Sequence, residues 1–248
     1  MRLSGRKALV TGASKGIGRS VALGYAGEGA DLFLTARQDK EGLAKTIEEA
    51  RSLGVNAEGG LYDASSLEEV RRLMDDVQTT MGGLDILVNN AGIIHPTPFM
   101  EISAEQFETT IRTHLFGTFY HTQEALRRFM VPAKEGKIIN LAAPAALQGS
   151  YGVVDYASAK GGIIAFTKNV AKETAALGIQ VNAVVPVAKT RMTDALSVFY
   201  AKAFGAEEGK RLETLPDSDR LVGIFVYFAS SDSDYVTGQV VTADGGML

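Results

Sequence analysis

Short apolar runs alternate with longer amphipathic segments along most of the chain. The first run, Lys7 to Val10, leads into the glycine-rich T-G-A-S-K-G-I-G of Thr11 to Gly18, and an amphipathic segment follows from Ile17 to Glu28. Asp31 to Thr35 (D-L-F-L-T) reads as a second buried strand, and Glu41 to Leu53 as an amphipathic helix. Asn56 to Tyr62 is a glycine-interrupted strand, Ser66 to Met81 a helix and Asp85 to Val88 a strand. Beyond these the pattern predicts a long helix from Ala104 to Met130, a strand at Lys137–Leu141 and a helix from Asp155 to Leu177. A strand at Gln180–Val185, a helix from Ser218 to Ser230 and a last strand at Gln239–Thr242 complete the set. The stretch from Pro186 to Pro216 reads as irregular. Strands alternating with helices require right-handed crossovers, so the expected class is α/β, with a parallel sheet covered on both faces.

Composition narrows this picture. The chain has 248 residues, 46% of them hydrophobic, which is enough for one sizeable core. No repeat or low-complexity linker marks a boundary, so residues 1–248 read as a single domain. The formal net charge of −4 gives no electrostatic footprint for nucleic acid or an anionic membrane surface. There are no cysteines, which excludes disulfides and thiolate catalysis. No apolar run approaches the ~18 residues of a membrane span, and no apolar leader precedes Ala8, so the chain reads as soluble and cytoplasmic.

The glycine-rich turn carries the first candidate chemistry. Gly12, Gly16 and Gly18 allow backbone to approach a pyrophosphate, and the following helix start supplies free N–H groups and a positive dipole end. In this arrangement the end of the second strand meets the adenosine ribose, where an acid suits NAD and a nearby Arg suits NADP. Neither Thr35 nor Ala36 is acidic, whereas Arg37 follows directly and Lys15 lies in the turn, so NADP(H) is expected over NAD(H). Asp63 ends the third strand, where it either accepts from an adenine amino group or caps the next helix. The small residues of N-N-A-G, Asn89 to Gly92, leave room for a flat ligand at a strand's carboxyl end. Finally, Tyr156 and Lys160 stand four apart on an expected helix and share one face. An ammonium near a phenol favours the phenolate, so a tyrosine of lowered pKa is expected, suited to general acid–base work.

Together, T-G-A-S-K-G-I-G at Thr11, N-N-A-G at Asn89, Y-A-S-A-K at Tyr156, the Pro186 and Thr190 segment and T-G-Q-V-V-T-A-D-G-G at Thr237 resemble the short-chain dehydrogenase/reductase family. The motifs occur in order and span the chain, and the likeness is to its 3-oxoacyl-reductase-like members. The resemblance implies a Rossmann-type, doubly wound, seven-stranded sheet in a three-layer sandwich, a nicotinamide cofactor and a homotetramer or homodimer. It implies Tyr156 as general acid/base and Lys160 as the residue that binds the nicotinamide ribose. A cofactor site follows, formed by Gly12, Ser14, Lys15, Gly16, Ile17, Gly18, Arg37, Asp63, Ala64, Asn90, Ala91, Gly92, Tyr156, Lys160, Pro186 and Thr190. Residues 188–216 correspond to a substrate lid, with Met192, Leu196, Phe199, Tyr200 and Phe204 as candidates for an apolar pocket.

The chain also departs from the family pattern. The serine expected thirteen residues before the tyrosine is Ala143, which has no hydroxyl to orient a carbonyl oxygen. The asparagine of the N-x-x-G turn is His114, which either holds a water toward the lysine or is satisfied by a backbone carbonyl. Val187 replaces a glycine after Pro186. Ser150 is a remote substitute for the serine, His95 a speculative substrate-facing donor and His121 a surface residue. The histidines show no metal-ligand spacing, and no metal is expected. Two functions follow: an NADP(H)-dependent oxidoreductase interconverting ketones and secondary alcohols, or a cofactor-binding relative acting as a scaffold with little catalysis.

Overall fold

The computed structural model describes residues 1–246. Each of the short apolar runs forms a parallel strand: β1 (Lys7–Val10), β2 (Asp31–Ala36), β3 (Ala57–Leu61), β4 (Ile86–Asn89), β5 (Gly136–Leu141), β6 (Ile179–Pro186) and β7 (Val240–Ala243). They lie in the order β3-β2-β1-β4-β5-β6-β7, so the strand order reverses beside β1. Residues of β1, β4 and β5 are almost fully buried, because helices cover both faces and leave no solvent side on which to alternate. Register aligns the carboxyl ends: Val10 pairs with Leu34 on one side and Val88 on the other, and Asn89 pairs with Asn140. A crevice at these ends is the expected ligand site of such a sheet.

The helices are α1 (Gly16–Gly27), α2 (Lys40–Ser52), α3 (Leu67–Met81), α4 (Ala104–Ile111), α5 (Gly117–Ala125), α6 (Val131–Ala133), α7 (Ala145–Gln148), α8 (Val154–Thr174), α9 (Arg191–Phe204), α10 (Ala206–Glu213) and α11 (Val222–Ala229). One core layer packs Val21, Tyr25, Phe225 and Phe228 against one face of the sheet. The other packs Val70, Leu73, Met74, Val77, Phe129 and Met130 against the opposite face. Local signals set the helix ends. Ser66 caps α3 by accepting from Glu69 N at 3.3 Å, and α3 stops at Gly82, whose φ of 66° only glycine adopts readily. No helix of the described residues is long and apolar enough to cross a membrane.

Three features differ from the sequence expectation. The long helix is not continuous: π-helical turns at Arg112–Phe116 and Leu126–Met130 interrupt it. Single π turns of this kind collect at functional sites, and the first carries His114. The span 186–216 is not irregular but holds the hairpin of α9 and α10. Its capping box uses Thr190 and Thr193, each hydroxyl accepting the other residue's N–H, at 3.3 and 2.7 Å. A T-x-x-T box is a weaker signal than the usual acidic partner, and the charged surface of α10 hides its apolar face. The third feature is α7, a single turn absent from the sequence reading and built directly on Ala143. Ala146 N donates to Ala143 O at 3.1 Å and Gln148 N to Pro144 O at 3.1 Å.

Candidate active site

A cavity of about 970 Å³ opens along the carboxyl ends of the strands. Its walls bring together nearly every residue singled out by sequence: Gly12, Ser14, Lys15, Gly16, Ile17, Arg37, Asp63, Ala64, Asn90, Ala91, Gly92, His114, Ala143, Tyr156, Lys160, Pro186 and Thr190. Gly18 is not a wall residue; it is buried directly behind the turn. A Cβ there would come within 2.4 Å of both Gly12 O and Asn90 Nδ2, so close backbone packing requires glycine.

The turn that forms one wall is held from behind. Thr11 Oγ1 accepts from Asn90 N and Ala91 N, each at 3.0 Å. Asn90 Nδ2 donates to Thr11 O at 2.7 Å and Gly12 O at 3.0 Å. The Asn90 amide therefore fastens N-N-A-G to the glycine-rich turn. Lys15, the N-cap of α1, makes no side-chain cap bond, and no acid lies in the first turn. The first N–H groups of α1 are thus left for an anion, which fits a dinucleotide diphosphate.

Charge near the ribose end is less simple than sequence suggested. Lys15 Nζ lies 3.2 Å from Asp39 Oδ2, and Asp39 also caps α2 through Gly42 N. Lys15 is therefore partly neutralised by an acid that the sequence reading missed, although Asp39 stands at a recognisable helix start. Arg37 and Arg191 both line the cavity, and neither has an ion-pair partner among the described residues. Asp63 does not cap α3, which is the task of Ser66. Its Oδ1 instead accepts from Ser65 N at 2.8 Å and Ser65 Oγ at 2.6 Å, while the residue stays on the cavity wall.

The acid–base end is built on α8 and the first π turn. Lys160 is 4% exposed and its Nζ donates to Leu141 O at 2.6 Å. It lies 5.6 Å from the centre of the Tyr156 ring. Burial pushes Lys160 down to about 7. The expected lowering of the tyrosine is not what this arrangement produces. Loss of hydration in the site pushes Tyr156 up to about 12, while the Lys160 ammonium is directed at a backbone carbonyl. The phenol is thus held protonated at neutral pH. Asp155, 1% exposed, fixes the start of the helix: it accepts from Tyr156 N, Thr110 Oγ1 and Gln106 Nε2 at 2.8, 2.8 and 3.1 Å.

His114 takes up one of the two expected roles, satisfaction by a backbone carbonyl. Its Nε2 sits 2.7 Å from Ile93 O and 3.1 Å from Ile93 N, so a backbone group satisfies that side. Its Nδ1 is buried and has no partner, the one such side-chain atom among the described residues. The ring meets Tyr156 edge-on with centres 5.1 Å apart. Burial and the neighbouring Lys160 hold His114 down at about 3, so it is neutral at physiological pH. A Cβ at Gly92 would fall 2.2 Å from His114 Cε1, so the glycine makes room for the imidazole.

The remaining histidines correct the sequence reading. His121 is not a surface residue: it is 2% exposed, lines the cavity and pairs Nδ1 with Gly117 O at 2.8 Å. Seven residues separate it from His114, which returns it to the same side of the helix. His95 is exposed and lies outside the cavity wall. Of the five lid residues, Met192, Leu196 and Tyr200 line the cavity. Phe199 and Phe204 do not; they pack on Tyr151, with ring centres 5.9 and 5.0 Å away. Sequence reading missed the wall residues Gln148, Arg191, Leu212 and Leu215. None belongs to a motif, and each is placed by tertiary packing alone.

Fold and cleft together define a dinucleotide-binding α/β oxidoreductase. A family model described as short chain dehydrogenase matches residues 6–200, and the chain belongs to that family. It is similar to the 3-oxoacyl-[acyl-carrier-protein] reductase of Aquifex aeolicus, at 33% identity across 100% of this chain and 99% of the relative. Among solved structures it is similar to levodione reductase, with a TM-score of 0.93 and 25% identity over 99% of this chain and 98% of that one. It is likewise similar to NAD+-bound xylitol dehydrogenase, with a TM-score of 0.90 and 27% identity over 99% and 100% of the two chains. The protein is an NAD(P)-dependent oxidoreductase of this family.

Proposed function

We propose that the chain is an NADP(H)-dependent reductase of ketones, also able to run the reverse oxidation of secondary alcohols. One observation carries this reading. Tyr156, a half-buried phenol kept protonated, shares a single cavity with a glycine-built anion cradle and a buried lysine. Gly12, Ser14, Lys15, Gly16, Ile17 and Gly18 would hold the cofactor's diphosphate, with Arg37 on the ribose phosphate and Asp63 and Ala64 at the adenine. Asn90, Ala91, Gly92, Pro186 and Thr190 would bound the ribose and nicotinamide end. When bound, the dinucleotide supplies or accepts the hydride.

The chain's own residues do the rest. Tyr156 Oη donates a proton to the substrate oxygen during reduction and takes one back during oxidation. Lys160 binds ribose hydroxyls and steadies charge on the phenol. His114, in the position where the family has asparagine, offers Nδ1 as acceptor for a water between the imidazole and Lys160. It cannot serve as an acid, because it is neutral across the working range. Ala143, in the serine position, contributes shape and no hydrogen bond. The hairpin of α9 and α10 serves as the substrate lid over residues 188–216, and the whole described chain acts as one domain. Exposed Phe107, Phe116, Phe119 and Tyr235 support a homodimer or homotetramer, in a cytoplasmic protein.

The test is NADPH consumption with a panel of ketones and 3-oxoacyl thioesters, for the parent and for Tyr156→Phe. Removing a general acid commonly costs about 10²–10⁴ in rate, so the variant should lose activity by about that factor and keep NADPH affinity. Reduction should hold through neutral pH and fall as Tyr156 deprotonates, whereas alcohol oxidation should rise with pH. A Tyr156→Phe variant as active as the parent would remove the tyrosine from the mechanism.

A further inference from the structure

Two parts of the cavity must keep a fixed relation for a substrate to meet Tyr156 productively. One is the start of α8, which carries the phenol. The other is the segment after β4, whose Ile93 and Ile94 line the same cavity. That segment has no regular secondary structure, so side chains must hold it. Ile93 meets His114 through its backbone, and Thr97 N donates to Gly152 O at 2.8 Å, just before α8. Gln106 of α4 supplies the remaining hold. Its Nε2 donates to His95 O at 3.0 Å, and its Oε1 accepts from Thr97 Oγ1 at 3.2 Å.

A backbone carbonyl can only accept, so His95 O fixes which end of the Gln106 amide faces it. The second Nε2 hydrogen then points at Asp155 Oδ2, 3.1 Å away. The other partners of this carboxylate are donors too: Thr110 Oγ1 on Oδ2 and Tyr156 N on Oδ1, each at 2.8 Å. Position 155 therefore has to accept on both oxygens. Asparagine has the same shape, but with its oxygen on Tyr156 N its amide nitrogen would face the Gln106 N–H, donor against donor. Asp155 is 1% exposed, and an unmade hydrogen bond at such burial is costly. Neither Asp155 nor Gln106 lines the cavity, so both act through the residues they hold.

We infer that Asp155 is a positioning residue of this enzyme: through Gln106 its carboxylate ties the Ile93–Ile94 wall to the backbone of Tyr156, and so fixes the phenol against the bound substrate. Misplacing a reacting group by about 1 Å costs up to about 10²-fold in rate. The inference rests on the reading of Tyr156 as the proton donor, and the experiment separates the two. Asp155→Asn, Gln106→Leu and the double variant are compared with the parent in ketone reduction, with kcat expressed per NADPH-binding site so that unfolded protein does not count. Each single variant should lose about tenfold in kcat, while NADPH affinity and the ketone KM change by about twofold at most. The two side chains form one link, and leucine also removes the opposing donor, so the double variant should be no slower than Asp155→Asn. Two independent structural defects would multiply instead, to about 100-fold. Gln106→Leu leaves the carboxylate in place and decides the matter alone if Asp155→Asn does not fold. Hydrogen exchange of residues 93–98 reads the same link without turnover and should quicken in both single variants. Unchanged kcat in the single variants, multiplied losses in the double variant or unchanged exchange would overturn the inference. Faster exchange beside a parent that reduces nothing keeps the link and defeats the reductase; a parent that turns over no faster than its variants does the reverse.

Discussion

The two walls of the cavity are made in different ways. The cofactor wall consists of backbone: glycines of the turn before α1, the start of that helix and the N-N-A-G strand end, locked by Thr11 and Asn90. The substrate wall consists of side chains from separate elements, α7, α9 and α10, that meet only in three dimensions. Backbone walls need particular residues at particular spacings, because a Cβ in the wrong place collides with main chain. Side-chain walls tolerate exchange.

The comparison breaks most sharply at Gly18. A Cβ there would lie 2.4 Å from Gly12 O, a backbone atom that cannot swing aside. Gly18→Ala should lower NADPH affinity by about 10²-fold or more, equivalent to about 3 kcal/mol, by titration of cofactor fluorescence. A larger change in side-chain volume on the other wall, Leu215→Ala, should leave cofactor affinity within about twofold. Equal losses would mean that the walls are not independent.

A smaller effect tests the charge at the ribose end. With Lys15 paired to Asp39, the proposed NADP(H) preference rests chiefly on Arg37. Arg37→Ala should weaken NADPH about tenfold and NADH by much less, measured as paired dissociation constants. The same loss for both would remove the NADP assignment. Asp39→Asn should shift preference slightly further toward NADPH.

A separate effect, on stability rather than affinity, concerns the floor beneath both walls. His114 and His121 are held down at about 3 and about 4 by burial, against an unfolded value near 6.5. The unfolded chain therefore binds more protons as pH falls below 6.5, and stability drops by about 1.4 kcal/mol per pH unit for each histidine. That penalty is absent above pH 6.5 and accumulates on acidification toward the folded values. His114→Asn should reduce the acid slope by about one histidine's share in urea titrations between pH 6 and 4. An unchanged slope would mean that His114 does not resist protonation in the folded protein.

Much of this was legible in the sequence, and the reasons differ by residue. The strands were visible because buried parallel strands are continuous apolar runs, and their carboxyl ends fell at the glycine-rich and N-N-A-G segments. Tyr156 and Lys160 were visible because helical spacing brings i and i+4 together. What helical spacing does not carry is hydration: the expected lowered phenol became a raised one because the hydroxyl is desolvated in the site. His121 looked like a surface residue because its local pattern does not reveal which face of the helix the rest of the chain covers. The hairpin of α9 and α10 was missed because its cap lacks an acidic partner. Gln148 was missed because α7 has only four residues and leaves no periodicity to read.

The central claim is that this cavity reduces ketones with Tyr156 as the acid and without a serine hydroxyl. The most direct measurement compares NADPH turnover by the parent and by Ala143→Ser under saturating cofactor. One added donor to a reacting oxygen is worth up to about 10²–10³ in rate. The account predicts measurable turnover by the parent, a further gain in the variant and unchanged NADPH affinity in both. A parent that binds NADPH yet reduces nothing, beside an Ala143→Ser variant that does, would contradict it and leave this chain as a cofactor-binding relative.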